Sequence, residues 1–161
     1  MRTQPPLVVI VMGSRSDAEH CEEIAAEARS YGLQVVMRIA SAHKTAAHSL
    51  SVLQEYEQNP RPKVYITVAG RSNALSGFVD GAVNAPVIAC PPASQLYAGV
   101  DVFSSLRMPS GIAPGVVLGP RNAALLAAKI LGLVDRKVRA AVTAAQSQRR
   151  ERIVSDDGEI Q

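Results

Sequence analysis

Tryptophan is absent from this 161-residue sequence, and only four tyrosines and two phenylalanines are present. With 47% of residues hydrophobic and 4% aromatic, a core has to be assembled from Val, Ile, Leu and Ala. That composition suits strands covered on both faces by helices better than an aromatic-rich sandwich. The same scarcity argues against a flavin carrier, which needs aromatic rings against the isoalloxazine. Cysteine is nearly missing too: Cys21 and Cys90 stand apart, with no Cys/His cluster at metal-ligand spacing. No apolar run reaches the roughly 18 residues needed to span a bilayer. Residues 1–6 are too short and polar for the apolar segment of a secretory leader. The expectation is a soluble protein of a reducing compartment, the cytoplasm.

The net charge of +3 is locally concentrated, with Arg136, Lys137, Arg139, Arg149, Arg150 and Arg152 in the last quarter. No aromatics interleave with them, so the pattern reads as a solvated helix face and not as a nucleic-acid surface.

Unbroken apolar runs alternate with helical periodicity. Residues 7–12 form a run of strand length ended by Gly13, its continuity marking a strand buried on both faces. Ala18, Cys21, Ile24, Ala28 and Tyr31 then recur at helical spacing; Ser16 and Glu19 fit a capping box, and Gly32 a stop. Strands are predicted over 35–39, 64–68, 86–90 and 116–118. Helices are predicted over 45–58, 72–83 (despite two glycines), 122–131 and 134–152. Residues 153–161 are expected to form a loose tail. No linker or repeat divides the chain. The result is one α/β domain: a flavodoxin-like, doubly wound three-layer sandwich around a mainly parallel five-stranded sheet.

Ligands of open parallel sheets sit beyond the carboxyl ends of the strands. There the sequence places Gly13-Ser14-Arg15-Ser16-Asp17, then Ser41-Ala42-His43-Lys44, then Ala69-Gly70-Arg71-Ser72-Asn73, then Pro91-Pro92. The first loop opens a helix, where free N–H groups and the helix dipole favour an anion, and Gly13 allows close approach. Ser16 could equally be only a helix cap. No Gly-Lys-Ser follows, which excludes a Walker loop. His43 differs from His20 and His48, which lie inside helices, by standing directly after a strand beside Lys44. A cationic neighbour favours a neutral imidazole able to accept a proton, although a merely polar loop histidine would look the same. Arg71, Ser72 and Asn73 offer a guanidinium, a hydroxyl and an amide for a small or anionic group. Arg107 lies in a second Arg-and-Gly turn, residues 107–111, that pattern alone does not place. A receiver-type signalling module would need an acidic cluster after the first strand and an Asp after the third, where Ala69-Gly70 stand instead.

These loop motifs, together with residues 86–92 and 104–111, resemble the PurE family in order and register, from about residue 7 to residue 133. The resemblance is to its class II members, which add CO2 directly to 5-aminoimidazole ribonucleotide (AIR) to give the 4-carboxy product (CAIR). Lys44, Arg71-Ser72-Asn73 and Arg107-Met108-Pro109 depart from the class I mutases, which use N5-carboxyaminoimidazole ribonucleotide and remain the alternative. The segment 93–100 lacks the tryptophan and acidic residue often seen in animal class II enzymes.

The resemblance implies de novo purine biosynthesis by a reversible carboxylation without ATP, biotin, metal or other cofactor. It implies His43 as the base that takes the C4 hydrogen. Gly13, Ser14, Ser16, Asp17, Ser41 and Lys44 would hold the ribose phosphate, Asp17 at the ribose hydroxyls. Gly70, Arg71, Ser72, Asn73 and Arg107 would complete the substrate site, with Arg71, Ser72 and Asn73 lining the CO2 pocket. It also implies a homo-octamer, or else a tetramer, and neither nucleic-acid nor membrane partners. The Ala-rich stretch 122–131 and the terminal helix are candidate subunit contacts, unless they pack on their own sheet.

Overall fold

The computed structural model describes residues 4–93 and 98–160. β1 (Leu7–Met12) is buried at all six positions, as an unbroken apolar run requires of a central strand with helices on both sides. It pairs in parallel with β2 (Gln34–Ile39) on one edge and β3 (Lys63–Val68) on the other. β4 (Val87–Ala89) and β5 (Gly115–Val116) continue the sheet past β3. The order is β2-β1-β3-β4-β5, all parallel, which is the flavodoxin-like doubly wound arrangement. The last two strands are shorter than their apolar runs.

The helices are α1 (Ala18–Ser30), α2 (Ala46–Glu57), α3 (Ala74–Asp80), α4 (Pro120–Leu131) and α5 (Arg136–Ile160). Strand side chains alternate in direction, so β1 feeds two cores. Val8, Ile10 and Met12 pack with Ile24 and Ala28 of α1, Ala124 and Ala127 of α4, and Val138 of α5. Leu7, Val9 and Val11 pack with Leu53 of α2 and with Leu75 and Val79 of α3. Three layers result. The alanines of α4, considered above as a subunit contact, are covered by the chain's own core: Ala123, Ala124, Ala127 and Ala128 are fully buried.

Chain ends of the helices show where sequence cues transfer and where they do not. Gly32 closes α1 with a φ of 80°. Its N–H reaches the Arg29 carbonyl and that of Leu33 the Ala28 carbonyl, the paired bonds of a Schellman stop. At the other end, the cap expected at Ser16/Glu19 sits two residues earlier, at Ser14 and Asp17. A 3-10 turn at Arg15–Asp17 precedes α1, and the Ser14 N–H donates to Asp17 Oδ2 at 3.1 Å. α3 is shorter than the expected 72–83 because Asn73 caps it, accepting the Ser76 N–H on its side chain. The glycines of α3 have a packing reason: a β-carbon on Gly77 would lie 3.0 Å from Met108 Sδ, and one on Gly81 3.1 Å from Ile112 Cδ1. The chain after residue 106 therefore lies directly on α3.

The expected loose tail is corrected by α5, which continues as helix through Ile160. Extending an existing helix adds a hydrogen bond for each residue fixed, and the Arg152–Asp156 pair at 3.9 Å supports the added turns. Residues 150–160 are nonetheless all exposed. The basic residues of this helix are only partly a solvated face. Arg139 donates to the Gly132 and Leu133 carbonyls at the end of α4, where a cation suits the helix dipole. Arg149 ties α5 to Glu27 and Tyr31 of α1, at 2.7 and 3.0 Å.

Candidate functional site

β1, β2 and β3 end level, Met12 aligning with Ile39 on one side and Val68 on the other. The chain turns away from β1 toward β2 and returns on its other side as β3, so the loops after these strands meet at the point where the winding reverses. They enclose an open cleft of ≈ 590 Å³. Gly13, Ser14, Ser16 and Asp17 line it from the first loop, Ser41, Ala42, His43 and Lys44 from the second, and Ala69, Gly70, Arg71 and Ser72 from the third. Leu75 of α3 adds an apolar wall.

The first two loops are shaped from within. Ser14 Oγ lies 2.5 Å from Ser16 Oγ and 3.2 Å from Asp17 Oδ2, so two hydroxyls and one carboxylate are held as a set. In the second loop the Ser41 N–H donates to Thr45 Oγ1 at 3.0 Å and the Lys44 N–H to Ser41 Oγ at 3.3 Å. This turn leaves the His43 and Lys44 side chains exposed at the cleft. Among the described residues Lys44 and Arg71 pair with no carboxylate. Two unneutralised cations and a cluster of hydroxyls favour an anionic ligand.

The third loop is shaped from outside. Arg71 has a φ of 60°, a left-handed conformation that costs a non-glycine residue about 1–3 kcal/mol and persists only where its surroundings impose it. Those surroundings are a 3-10 segment, Val100–Ser105, that the sequence did not signal. The Arg71 N–H donates to Asp101 Oδ2 at 3.1 Å. Ser104 Oγ accepts the Asn73 N–H at 3.0 Å and lies 3.1 Å from the Arg71 carbonyl and 2.8 Å from that of Asp101. The Asn73 side chain donates to Ser105 Oγ at 2.9 Å.

Two residues expected at the site do not line the cleft of this chain. Asn73 is buried, its amide spent on capping α3 and on Ser105, so it shapes the loop without lining the cleft. Arg107 is exposed and is not among the residues lining the cleft of its own chain. His20 sits with its Nε2 3.3 Å from Cys90 Sγ, outside the cleft lining. Burial pushes the Cys21 and Cys90 thiols up to about 12, which keeps both protonated near neutral pH and unsuited to nucleophilic work. Ala42, Ala69 and Leu75 line the cleft without having been singled out, since small apolar residues carry no chemical signal. Asp101 also went unnoticed, as a lone carboxylate in an irregular stretch. The segment 93–100, which lacks the tryptophan and acidic residue of animal class II enzymes, falls partly outside the described residues, at 94–97.

A flavodoxin-like sheet with a hydroxyl- and cation-lined cleft at its switch point places the chain among the α/β proteins that take small molecules beyond the carboxyl ends of their strands. Its kinship is specific. The sequence profile described as AIR carboxylase matches residues 7–152, well past the 133 reached by the motifs, and the chain belongs to that family. It is 55% identical to a phosphoribosylaminoimidazole carboxylase of Treponema denticola over 96% of this chain and 98% of that protein. It is 51% identical to one of Archaeoglobus fulgidus, over 94% and 83% of the two chains. The crystal structure of Treponema denticola PurE superposes with a TM-score of 0.95 at 54% identity, covering 97% of this chain and 99% of that one. A bifunctional carboxylase/succinocarboxamide synthetase of Drosophila melanogaster matches at 50% identity over 79% of this chain but 30% of its own length.

Proposed function

We propose that this chain is a phosphoribosylaminoimidazole carboxylase of purine biosynthesis, joining CO2 to C4 of AIR to form CAIR. The carrying observation is the convergence of His43, the Ser14/Ser16/Asp17 set with Lys44, and Arg71 with Ser72 in one cleft, in a chain 55% identical to a named carboxylase.

The ribose phosphate lies at the first two loops, with the hydroxyls and Lys44 on phosphate and Asp17 on the ribose hydroxyls. The imidazole ring extends toward Arg71 and Ser72. The exocyclic amine pushes its lone pair into the ring, and C4 attacks the CO2 carbon as one C–O π bond becomes carboxylate charge. Arg71 and Ser72 lie where that charge develops, where fixed donors act most effectively. C4 then bears both hydrogen and carboxylate. His43 takes the hydrogen as a proton, the C–H electrons restore the aromatic ring, and the base is freed on returning that proton to solvent. No ATP-derived activation of CO2 enters this sequence. Cytoplasmic purine synthesis is the setting it implies. In the homo-octamer, or tetramer, that the resemblance implies, Arg107 serves the cleft of a neighbouring copy.

The test supplies AIR with bicarbonate in one arm and N5-carboxyaminoimidazole ribonucleotide at low CO2 in the other. Turnover is expected in the first. Turnover confined to the second would make the chain a mutase, a reading that the relatives' names do not favour.

A further inference from the structure

We propose that Asp101 and Ser104 are positioning residues for the CO2 end of the site, acting through the backbone of residues 71–73. This rests on the carboxylase reading above. Neither residue lines the cleft, so neither touches substrate. Each grips the loop that does.

The pattern of the grip is specific. The Arg71 N–H is taken by the Asp101 carboxylate and the Asn73 N–H by the Ser104 hydroxyl. The same hydroxyl lies within hydrogen-bond reach of the Arg71 carbonyl. Between the two engaged amides stands that of Ser72, which has no protein partner among the described residues. Residue 72 is thus fixed on both sides by contacts from 30 to 33 positions away, and while its carbonyl accepts the Ala74 N–H at 3.1 Å, its own N–H and hydroxyl are left for a ligand. A carboxylate acceptor makes the stronger, charge-assisted form of such a bond. It is the group on hand that can hold Arg71 in a left-handed conformation that its side chain does not favour. Glycine at position 71 would adopt this turn unaided; arginine there needs the clamp. Because CO2 is small and uncharged, its capture depends on the placement of few donors, and displacement of about 1 Å costs up to about 10²-fold.

Asp101→Ala and Ser104→Ala are compared with Asp101→Asn and Ser104→Thr, which keep an acceptor and a hydroxyl. For Asp101→Ala, kcat/KM for CO2 (varied as bicarbonate at saturating AIR) should fall about 10–100-fold. KM for AIR should stay within about threefold, and Ser104→Ala should show the same split more weakly. Asp101→Asn and Ser104→Thr should recover most of the loss. Hydrogen exchange at the Arg71 and Asn73 amides, measured on the free protein, should accelerate in both alanine variants without change in global unfolding. Wild-type kcat/KM for CO2 in Asp101→Ala, equal losses toward both substrates, or unchanged exchange would each overturn the proposal. A wild-type protein inactive with AIR and bicarbonate would instead refute the carboxylase reading, and the exchange measurement would still decide whether the clamp exists.

Discussion

The loops after β1 and β2 are held by bonds between residues three or four apart, Ser14 to Asp17 and Ser41 to Lys44 and Thr45. The loop after β3 is held by residues 30 to 33 positions away. Both kinds of loop meet in one cleft, but they respond differently to change. A locally closed turn keeps its shape when a neighbour on the cleft wall is altered. A turn imposed across the fold, with Arg71 in a left-handed conformation, keeps its shape only while the distant clamp holds. In the proposed reaction the locally built side takes the nucleotide, which offers many contacts, and the clamped side takes CO2, which offers few.

The largest effect expected from this contrast is at His43. It stands on a locally closed turn, so His43→Asn should remove the base without moving its neighbours. Turnover should fall about 10²–10⁴-fold, the range for losing a general base. The dissociation constant for AIR, measured by calorimetry, should change by less than threefold. Normal turnover would take His43 out of the mechanism, and lost binding would assign it to the nucleotide.

A smaller effect separates the two sides directly. Ser72→Ala should lower kcat/KM for CO2 by about 10–100-fold, somewhat less than the loss of a full oxyanion donor, with AIR binding partly kept. Lys44→Ala should do the reverse. Its KM for AIR should rise about tenfold, as for the loss of one charge-assisted contact, with kcat at saturation nearly intact. Steady-state kinetics with each substrate varied in turn reads both. If the two variants gave the same split, the division of the cleft would be wrong.

The same contrast decides what could be read before any coordinates. The mainly parallel sheet, the positions of β1 to β3 and the Gly32 stop follow from apolar runs and single-residue conformational preferences, which are local. So do the cleft residues of the first two loops, because sequence adjacency to a strand end already fixes their place. Asn73 is not legible in the same way, because a residue after a strand can face the cleft or cap the following helix, and the deciding partner, Ser105, is 32 positions on. The capping box moved to Ser14 and Asp17 because an unsignalled 3-10 turn precedes α1. Asp101 gave no signal at all; its role exists only through the folded distance to Arg71. The helical end of α5 was missed for another reason: its composition is that of a tail, and what continues it is the helix before it.

The smallest effect concerns the core on which both kinds of loop stand. Cys21 and Cys90 are fully buried on the α1 side of the sheet, Cys90 at the end of β4 just before the Pro91-Pro92 turn. Burial raises both thiols from an ordinary value near 9 to about 12. In the unfolded chain they release protons near pH 9, whereas in the folded chain they keep them to about 12. Over that interval the unfolded state binds fewer protons, so stability falls as pH rises. Each thiol contributes a slope of up to about 1.4 kcal/mol per pH unit. The contribution is fully present below pH 9 and is lost on approaching 12. Tyr31 and Tyr65, both raised chiefly by burial, act in the same direction higher in the range. Urea midpoints taken at intervals from pH 8 to 11 should therefore decline in the wild type and decline less steeply in Cys21→Ala or Cys90→Ala, whatever each substitution costs at pH 8. Parallel slopes in all three proteins would mean that the thiols titrate alike in both states, and that this side of the sheet opens to solvent more readily than its packing indicates.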